Sequence, residues 1–174
     1  IRVFRDFPYL YDGDLDYEAW YLARFAAAPE AVLAAAFAEN VLIGAATAAP
    51  LVHEHAAFCT PFVTRGIAPE HVFYLAESVL LPEYRGRGLG HAFFDHREAA
   101  AARLGLPVTA FCAVLRPDDH PARPADYRPL DPFWRKRGYA PVPGMTTSFP
   151  WKDLGMAVET PKAMQFWLKG WSAA

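Results

Sequence analysis

Two spacings of apolar residues divide this chain into strand-like runs and segments with a helical period. Residues 31–37 and 41–49 are apolar runs separated by "AEN", which predicts two strands joined by a tight turn. The alanines of the first run also allow a helix. Residues 71–81 are rich in aromatic and branched side chains and end at Pro82, which predicts a central strand, and residues 108–115 predict another buried strand.

Helical spacing is found in two longer segments. Asp14 can cap a first helix that ends before Pro29, with apolar positions at Trp20, Leu22, Phe25 and Ala26. Residues 91–104 predict a second helix that ends at Gly105. Its predicted inner stripe comprises Phe93, Phe94, Arg97, Ala100, Ala101 and Leu104.

The last third of the chain is irregular at first and then strand-like. Residues 116–130 contain Pro117, Pro121, Pro124 and Pro129, which predicts a long loop. Asp131 is the predicted cap of a short helix that ends at Gly138. "YAPV", "TTSFPW" and "AMQFWLKGW" predict late strands, and we interpret the last as core or as the edge of a homodimer. Strands with helices between them predict a mixed α/β sheet.

Composition narrows the class of protein. A length of 174 residues, with 53% hydrophobic and 21% charged residues, indicates one folded domain spanning residues 1–174. The net charge of -2 lacks the basic excess of a nucleic-acid binder, so no nucleic-acid partner is expected. No run approaches the ~18 apolar residues of a membrane span. Cys59 and Cys112 are too few for a disulfide framework, so a cytoplasmic location is expected. The chain begins at Ile1, which leaves room for residues upstream.

Three glycines and two arginines stand between the central strand and the second helix. A strand that enters a helix through such a turn exposes several backbone N–H groups at the positive end of the helix. Glycines allow an anion to approach this backbone closely, and arginines add the charge and the planar fork that phosphate oxygens prefer. The stretch therefore indicates an anion site, although a sharp turn alone would also need a glycine. The residues are Arg85, Gly86, Arg87, Gly88 and Gly90.

The spacing of the glycines does not fit the common nucleotide motifs. A Rossmann site requires G-x-G-x-x-G with an acidic residue ~20 positions later, and residues 109–114 contain no acid. A Walker loop requires Gly-Lys followed by Ser or Thr, which is absent here. The loop does resemble the Q/R-x-x-G-x-G/A motif of the GNAT N-acetyltransferase superfamily, through Arg85, Gly86, Arg87, Gly88, Leu89 and Gly90. "FWRKRGY" at residues 133–139 is similar to the family's F-Y-x-x-x-G-F segment.

The resemblance implies a fold and a co-substrate. The fold would be a central, mostly antiparallel twisted sheet flanked by helices, with splayed central strands. The co-substrate would be acetyl-CoA, with its pyrophosphate on the amides of residues 86–90 and its pantetheine arm along Leu80 and Leu81. The implied reaction is N-acetylation of a small-molecule amine or an amino-acid-like acceptor. No metal is expected, and we interpret the alternate histidines of "HEH" as solvated.

Acetyl transfer to an amine requires a proton acceptor, and Glu77 is our candidate. It is a charged residue within an apolar segment, where burial would raise its pKa. The alternative is that Glu77 faces solvent or pairs with an arginine. The backbone N–H of Leu80 or Leu81 would hold the thioester oxygen. Trp134 stands where the family commonly has the tyrosine that protonates the thiolate, and an indole cannot take that role. Tyr127 or Tyr139 would then supply the proton, or the thiolate would leave without one.

Three functions remain after these arguments. An acetyltransferase is favoured by Glu77, and a GNAT-like module that binds acyl-CoA without catalysis is favoured by Trp134. An RNA-binding role for "RGRG" is disfavoured by the acidic balance of the chain. The acidic stretch at residues 12–18 predicts a mouth that accepts an amine, through Asp14 and Asp16, or alternatively only a charged helix start.

Overall fold

The computed structural model describes residues 1–171, apart from the side chain of Arg24. These residues form four α-helices and seven β-strands. The helices are α1 (Leu15–Ala27), α2 (Ala56–Thr64), α3 (Leu89–Arg103) and α4 (Asp131–Lys136). The strands are β1 (Val32–Ala38), β2 (Val41–Pro50), β3 (Val72–Tyr74), β4 (Ser78–Leu80), β5 (Val108–Val114), β6 (Ala140–Trp151) and β7 (Thr160–Lys169).

The strands form one open sheet in the order β1-β2-β3-β5-β7-β6, with β4 paired to β2 outside this path. Among the strands of residues 1–171, only β3 and β5 pair in parallel. The other pairs are antiparallel. The predicted mixed α/β fold with a mostly antiparallel sheet and splayed central strands is thereby confirmed.

Each face of the sheet carries its own apolar core. On one face, Tyr74, Cys112 and Phe166 pack with Phe62 of α2. On the other face, Phe73 and Phe111 pack with Phe94 of α3. Since alternate residues of a strand point to opposite faces, Phe73 and Tyr74 belong to different cores although they are neighbours in the chain.

The central strand departs from the sequence prediction. Residues 71–81 were expected to form one strand, but they form β3 and β4, with an interruption at residues 75–77. The interruption is a β-bulge, because Ala76 and Glu77 both oppose Thr47 of β2. The Ala76 N–H donates to the Thr47 carbonyl at 3.0 Å, and the Thr47 N–H donates to the Glu77 carbonyl at 3.0 Å.

The predicted helices are present, with two corrections. Asp14 caps α1 by accepting from the Tyr17 N–H at 2.7 Å, yet Trp20 on this helix is 54% exposed and only Phe25 of its described apolar side chains is buried. The predicted inner stripe of α3 from Phe93 to Ala101 is buried. Asp131 was expected to cap α4, but it lies within the helix, whose N-cap is Leu130 without a side-chain hydrogen bond.

The loops and late strands follow the sequence closely. Residues 116–130 contain no helix or strand, as their prolines predict. "YAPV" and "TTSFPW" were expected as separate strands, but they form the single strand β6, whose register shifts between Pro141 and Thr146. No helix within residues 1–171 is long and apolar enough to cross a membrane.

Candidate cofactor and acceptor site

The glycine loop, residues 85–90, turns the chain into α3 through two left-handed residues. Gly86 has φ of 75° and Gly88, the N-cap of α3, has φ of 84°. Side chains other than glycine rarely adopt such angles. A Cβ atom at either glycine would meet nothing within 4 Å, so the loop backbone faces open space.

Within the glycine loop, the Arg85 N–H donates to the Pro82 carbonyl at 3.1 Å, whereas the five amides that follow have no acceptor among the described residues. The first helical hydrogen bond of α3 runs from the Ala92 N–H to the Gly88 carbonyl, at 3.2 Å. Within residues 1–171, no acceptor lies within hydrogen-bond distance of the backbone N–H groups of Gly86, Arg87, Gly88, Leu89 and Gly90. Consecutive unpaired donors at the positive end of a helix form a site for an anion such as a diphosphate.

Both arginines of the loop lie against their own segment. Arg85 donates from Nε to the Leu80 carbonyl at 3.2 Å, and Arg87 donates from Nη2 to the Glu83 carbonyl at 3.1 Å. The Arg87 guanidinium also lies 5.3 Å from the centre of the Tyr84 ring. Arg85 also forms a long ion pair with the Asp6 carboxylate at 3.9 Å, with both side chains about half exposed. All these contacts are at the surface, so both arginine side chains are able to turn toward a bound anion.

A gap between β4 and β5 lies directly before the glycine loop. The last pairing between the two halves of the sheet is Tyr74 with Ala110, followed by a hydrogen bond from the Leu75 N–H to the Ala110 carbonyl. After that point β4 pairs with β2, and β5 pairs with β7. Gly44 on β2 allows the close approach of β4, because a Cβ atom there would lie 2.8 Å from the Val79 carbonyl oxygen.

Leu80 and Leu81 point their backbone groups in opposite directions. The Leu81 N–H donates to the Ile43 carbonyl of β2 at 2.9 Å and is therefore engaged within the sheet. Because backbone groups alternate along an antiparallel strand, the N–H of Leu80 faces away from β2 and toward the gap. Of the two predicted oxyanion donors, the structure leaves Leu80 as the available one.

Glu77 lies in the bulge at the start of the gap. Its backbone N–H donates to Thr47 Oγ1 at 3.1 Å, while its half-buried side chain forms no hydrogen bond or ion pair with the described residues. Burial raises the pKa of the Glu77 carboxyl to about 7, and repulsion from Glu18 and Glu54 adds to this, whereas the N-terminal ammonium of Ile1 lowers it. A carboxyl with this pKa exchanges protons readily at neutral pH.

Three tyrosines and a cysteine are the hydroxyl and thiol groups considered near Glu77, and of these Tyr74 and Cys112 belong to the α2-side core, with Tyr9 packed against it. Tyr9 and Tyr21 interact electrostatically with Glu77, and Tyr74 shares a 3.0 Å hydrogen bond with the Cys112 thiol. Burial raises the pKa of Tyr9, Tyr21 and Tyr74 well above the usual value, and it raises the pKa of Cys112 to about 12. These groups are consequently weak acids at neutral pH. Cys112 is a core residue, as its apolar strand predicts.

Tyr9 is held in place by contacts with distant parts of the chain. Arg116, after β5, donates to the carbonyls of Pro8 and Tyr9 at 2.8 and 2.9 Å and forms a bidentate ion pair with Asp153 at 2.8 and 3.0 Å. Trp151 donates from Nε1 to the Tyr9 carbonyl at 3.0 Å. Tyr9 was not predicted from the sequence, because no local pattern distinguishes it from the other aromatic residues near the N-terminus.

Of the residues considered as proton donors from the sequence, two lie elsewhere, and Tyr127 lies near enough to Tyr9 to interact with it electrostatically. Trp134 packs against the rings of Phe111 and Trp167, with ring centres 5.0 and 5.1 Å apart. Tyr139 is buried on the α3 side, where its hydroxyl bonds to Thr109 at 2.9 Å and to a carboxylate of α3. Tyr127 packs edge-on against Phe7 in the loop after β5. The structure brings none of them into contact with Glu77.

The acidic stretch at residues 12–18 divides between structure and site. Asp14 caps α1, and Asp12 pairs with Lys152 at 3.0 Å. Glu18 is the member that lies near enough to Glu77 to affect it electrostatically. Glu77 and the groups that interact with it electrostatically form an acceptor-side cluster, which comprises Tyr9, Glu18, Tyr21, Glu54 and Glu77.

Comparison with known proteins agrees with this geometry. The profile of the acetyltransferase (GNAT) family matches residues 3–125, which include both the glycine loop and the acceptor-side cluster. The chain belongs to the GNAT acetyltransferase family. The match ends before "FWRKRGY", so membership rests on the first part of the chain. No protein with curated annotation matches the sequence.

Solved structures share the fold of this GNAT chain at low sequence identity. Ribosomal-protein-alanine N-acetyltransferase from Brucella melitensis has a TM-score of 0.57 and 14% identity, covering 91% of this chain and 80% of its own. A GNAT family acetyltransferase from Elizabethkingia anophelis with acetyl-CoA bound has a TM-score of 0.55 and 12% identity, covering 93% and 86%. A Bacillus subtilis acetyltransferase in complex with CoA has a TM-score of 0.54 and 11% identity, covering 94% and 88%.

Proposed function

We propose that this protein transfers an acetyl group from acetyl-CoA to the primary amine of a small-molecule or amino-acid-like acceptor. The single observation that carries the proposal is the run of unpaired amides at residues 86–90, which opens next to the gap that contains Glu77. Two GNAT structures of the same fold are described with acetyl-CoA or CoA bound, which supports the choice of co-substrate.

The chain offers a fitting set of groups for each part of coenzyme A. The amides of residues 86–90 would bind the diphosphate, and Arg85 and Arg87 would add charge-assisted contacts. The Leu80 N–H would donate to the thioester oxygen, where negative charge develops as the amine attacks. Acetyl-CoA supplies the activated acyl group for this reaction.

Glu77 would remove the proton of the amine. The pKa of an ordinary alkyl ammonium, near 10.4, is ~3.4 units above pH 7. Removing its proton at pH 7 therefore costs about 4.6 kcal/mol. A carboxylate whose pKa is about 7 is a base of suitable strength at neutral pH, and it accepts this proton directly or through water. The new N–C bond forms as the C–S bond breaks, the amine proton passes to Glu77, and the thiolate departs.

The described residues suggest that the thiolate leaves without a strong general acid. The pKa values of Tyr9, Tyr21 and Tyr74 are raised by burial, which makes proton donation from them less favourable than from an ordinary tyrosine. A thiol with an ordinary pKa near 8.5 is already a reasonable leaving group at neutral pH.

A binding module without catalysis is the second candidate. The specific observation in its favour is Trp134, which packs into the aromatic core at the position where the family commonly has an acidic hydroxyl. Such a module would bind CoA through the same loop but would not consume acetyl-CoA.

The test combines binding and turnover. We expect calorimetry to detect CoA binding, and an assay of free thiol to detect turnover with at least one member of a panel of amines. Glu77→Gln should lower kcat by roughly 10²–10⁴-fold while leaving the Kd for CoA unchanged, since a general base contributes about that much. Glu159→Gln, at an exposed position before β7, is the matched control.

Each result has a distinct meaning. CoA binding without thiol release from any amine would favour the binding module. Full activity in Glu77→Gln would show that another group is the base. A lack of CoA binding at millimolar concentration would contradict both functions.

A further inference from the structure

An arginine is almost completely buried behind the bulge that carries Glu77. Arg97 of α3 is 1% exposed. Its Nη1 donates to the carbonyls of Thr47 and Glu77, at 3.2 and 3.0 Å, and its Nε donates to the Phe93 carbonyl at 3.0 Å. The guanidinium forms no ion pair with a described residue, and burial lowers its pKa to about 10, so it stays charged at neutral pH.

Burying an unpaired cation is costly, and helix packing alone would not require it. An apolar side chain would fill the same space between α3 and the sheet. Arg97 is also the charged exception in a stripe that otherwise consists of phenylalanines and alanines. The feature that distinguishes it from an apolar residue is its donation to the two bulge carbonyls.

Thr47 holds the same bulge from the β2 side. It is a polar residue in a strand otherwise made of apolar residues and glycine, and its Oγ1 accepts the Glu77 N–H at 3.1 Å. A regular strand would pair that N–H with a main-chain carbonyl. The peptide groups on both sides of the Glu77 Cα atom are therefore fixed, one by Thr47 Oγ1 and the other by the Thr47 N–H and Arg97.

We infer that Arg97 and Thr47 are positioning residues, which hold the bulge so that the Glu77 carboxyl faces the gap. This inference rests on the proposed function for its kinetic consequence. Arg97 lies nine residues after Gly88 on the same helix, which is about 13 Å along its axis. One rigid element thus supports both the glycine loop and the proposed base.

The experiment uses variants that keep the charge of the site. Thr47→Val removes the acceptor of the Glu77 N–H and keeps the shape, whereas Thr47→Ser keeps the acceptor. Arg97→Lys keeps the cation but cannot bond to both carbonyls in the same fork. Both carbonyls retain main-chain donors in these variants, so we expect them to fold, which thermal unfolding checks. Arg103→Lys, at the exposed end of α3, is the matched control.

The primary measurement is the titration of the Glu77 carboxyl carbon by NMR, which does not depend on activity. The groups that face Glu77, which are the Glu18 and Glu54 carboxylates, the Tyr9 and Tyr21 hydroxyls and the N-terminal ammonium, stay the same in every variant. We expect Thr47→Val and Arg97→Lys to lower the Glu77 pKa by about one unit or more, because a relaxed bulge admits water to the carboxyl. Thr47→Ser and Arg103→Lys should leave it unchanged.

The kinetic measurement is the pH dependence of kcat/KM. In Thr47→Val and Arg97→Lys, the acid limb should move to lower pH, and kcat should fall about tenfold with an unchanged Kd for CoA. Folded variants in which the Glu77 titration equals that of the wild type would overturn the inference. A wild type that binds CoA without turnover would refute the proposed reaction, and the NMR titration would then still decide whether Arg97 and Thr47 position Glu77.

Discussion

The glycine loop and the acceptor-side cluster are built in different ways. The loop consists of neighbouring residues, and its geometry follows from Gly86 and Gly88 at positive φ before the first turn of α3. The cluster gathers Tyr9, Glu18 and Glu54 from separate segments around the bulge in the central strand. A site for a common co-substrate can therefore be local, whereas the acceptor side depends on how the whole fold is assembled.

Among the variants that separate the two regions, Arg116→Met is expected to change stability the most. The change leaves Asp153 partly buried with only the more distant Lys162 at 3.4 Å, and it removes the donors to the Pro8 and Tyr9 carbonyls. Breaking a buried ion pair in this way should lower the free energy of unfolding by about 3 kcal/mol. We also expect the KM for the acceptor to rise several-fold without a change in the Kd for CoA, measured by steady-state kinetics and calorimetry.

Arg123→Met is the control for Arg116→Met. Arg123 lies in the same loop, but its partner Asp118 is exposed, and a surface ion pair contributes less than about 1 kcal/mol. If Arg116→Met weakened CoA binding as much as it raised the KM for the acceptor, the glycine loop and the acceptor-side cluster would not be separable.

The next effect concerns the stability cost of Glu77. Its pKa is about 7 in the folded protein and near 4.5 when unfolded, so the folded state binds more protons between these values. The free energy of unfolding should therefore fall as pH rises from about 4.5 to 7, by about 3 kcal/mol, and stay lower above pH 7. Glu77→Gln should remove this dependence and be the more stable protein at pH 8, as measured by urea unfolding at a series of pH values.

This prediction also separates the two regions. Removing the carboxyl should stabilise the protein while it lowers kcat, which would show that the acceptor side is kept at the expense of stability. If Glu77→Gln were less stable than the wild type at pH 8, the carboxylate would have a stabilising partner. Glu159→Gln should show the pH dependence of the wild type.

The smallest effect is expected in the glycine loop. Gly88→Ala forces a left-handed residue to carry a Cβ atom, which costs about 1–2 kcal/mol. Gly66→Ala, in the turn after α2, is matched because Gly66 has φ of 71° and also has nothing within 4 Å of its added Cβ atom. Both variants should lose similar stability, but only Gly88→Ala should weaken CoA binding, by about tenfold in calorimetry. Equal CoA affinity in the two would contradict an anion site at the loop.

The same contrast explains what could be predicted from the sequence. Local signals were sufficient for the cap at Asp14 and the buried stripe of α3. The glycine motif was also sufficient to predict the GNAT fold. These features depend on hydrogen bonds and periodicity within a few residues, which a single sequence displays.

The interruption of the central strand could not be predicted in this way. Ala76 and Glu77 follow an apolar run in which nothing local indicates a bulge, because the bulge forms through Thr47 and Arg97 on other elements. Tyr9 depends likewise on Arg116, which is distant in the chain. The predicted cap at Asp131 failed for a different reason, since the helix begins one residue earlier than the Asp-Pro pair suggests.

The two-to-one register at Thr47 has a consequence for how the chain can vary in length. Deleting Ala76 would restore equal numbers of residues on the two strands and keep Tyr74 and Ser78 on their present faces, but it would remove the bulge and the bend that the bulge gives the strand at Glu77. The carboxyl and the turn that follows it would no longer be presented together. We therefore expect this segment to tolerate many substitutions but neither insertions nor deletions, in contrast to the Glu39-Asn40 hairpin tip at the outer edge of the sheet.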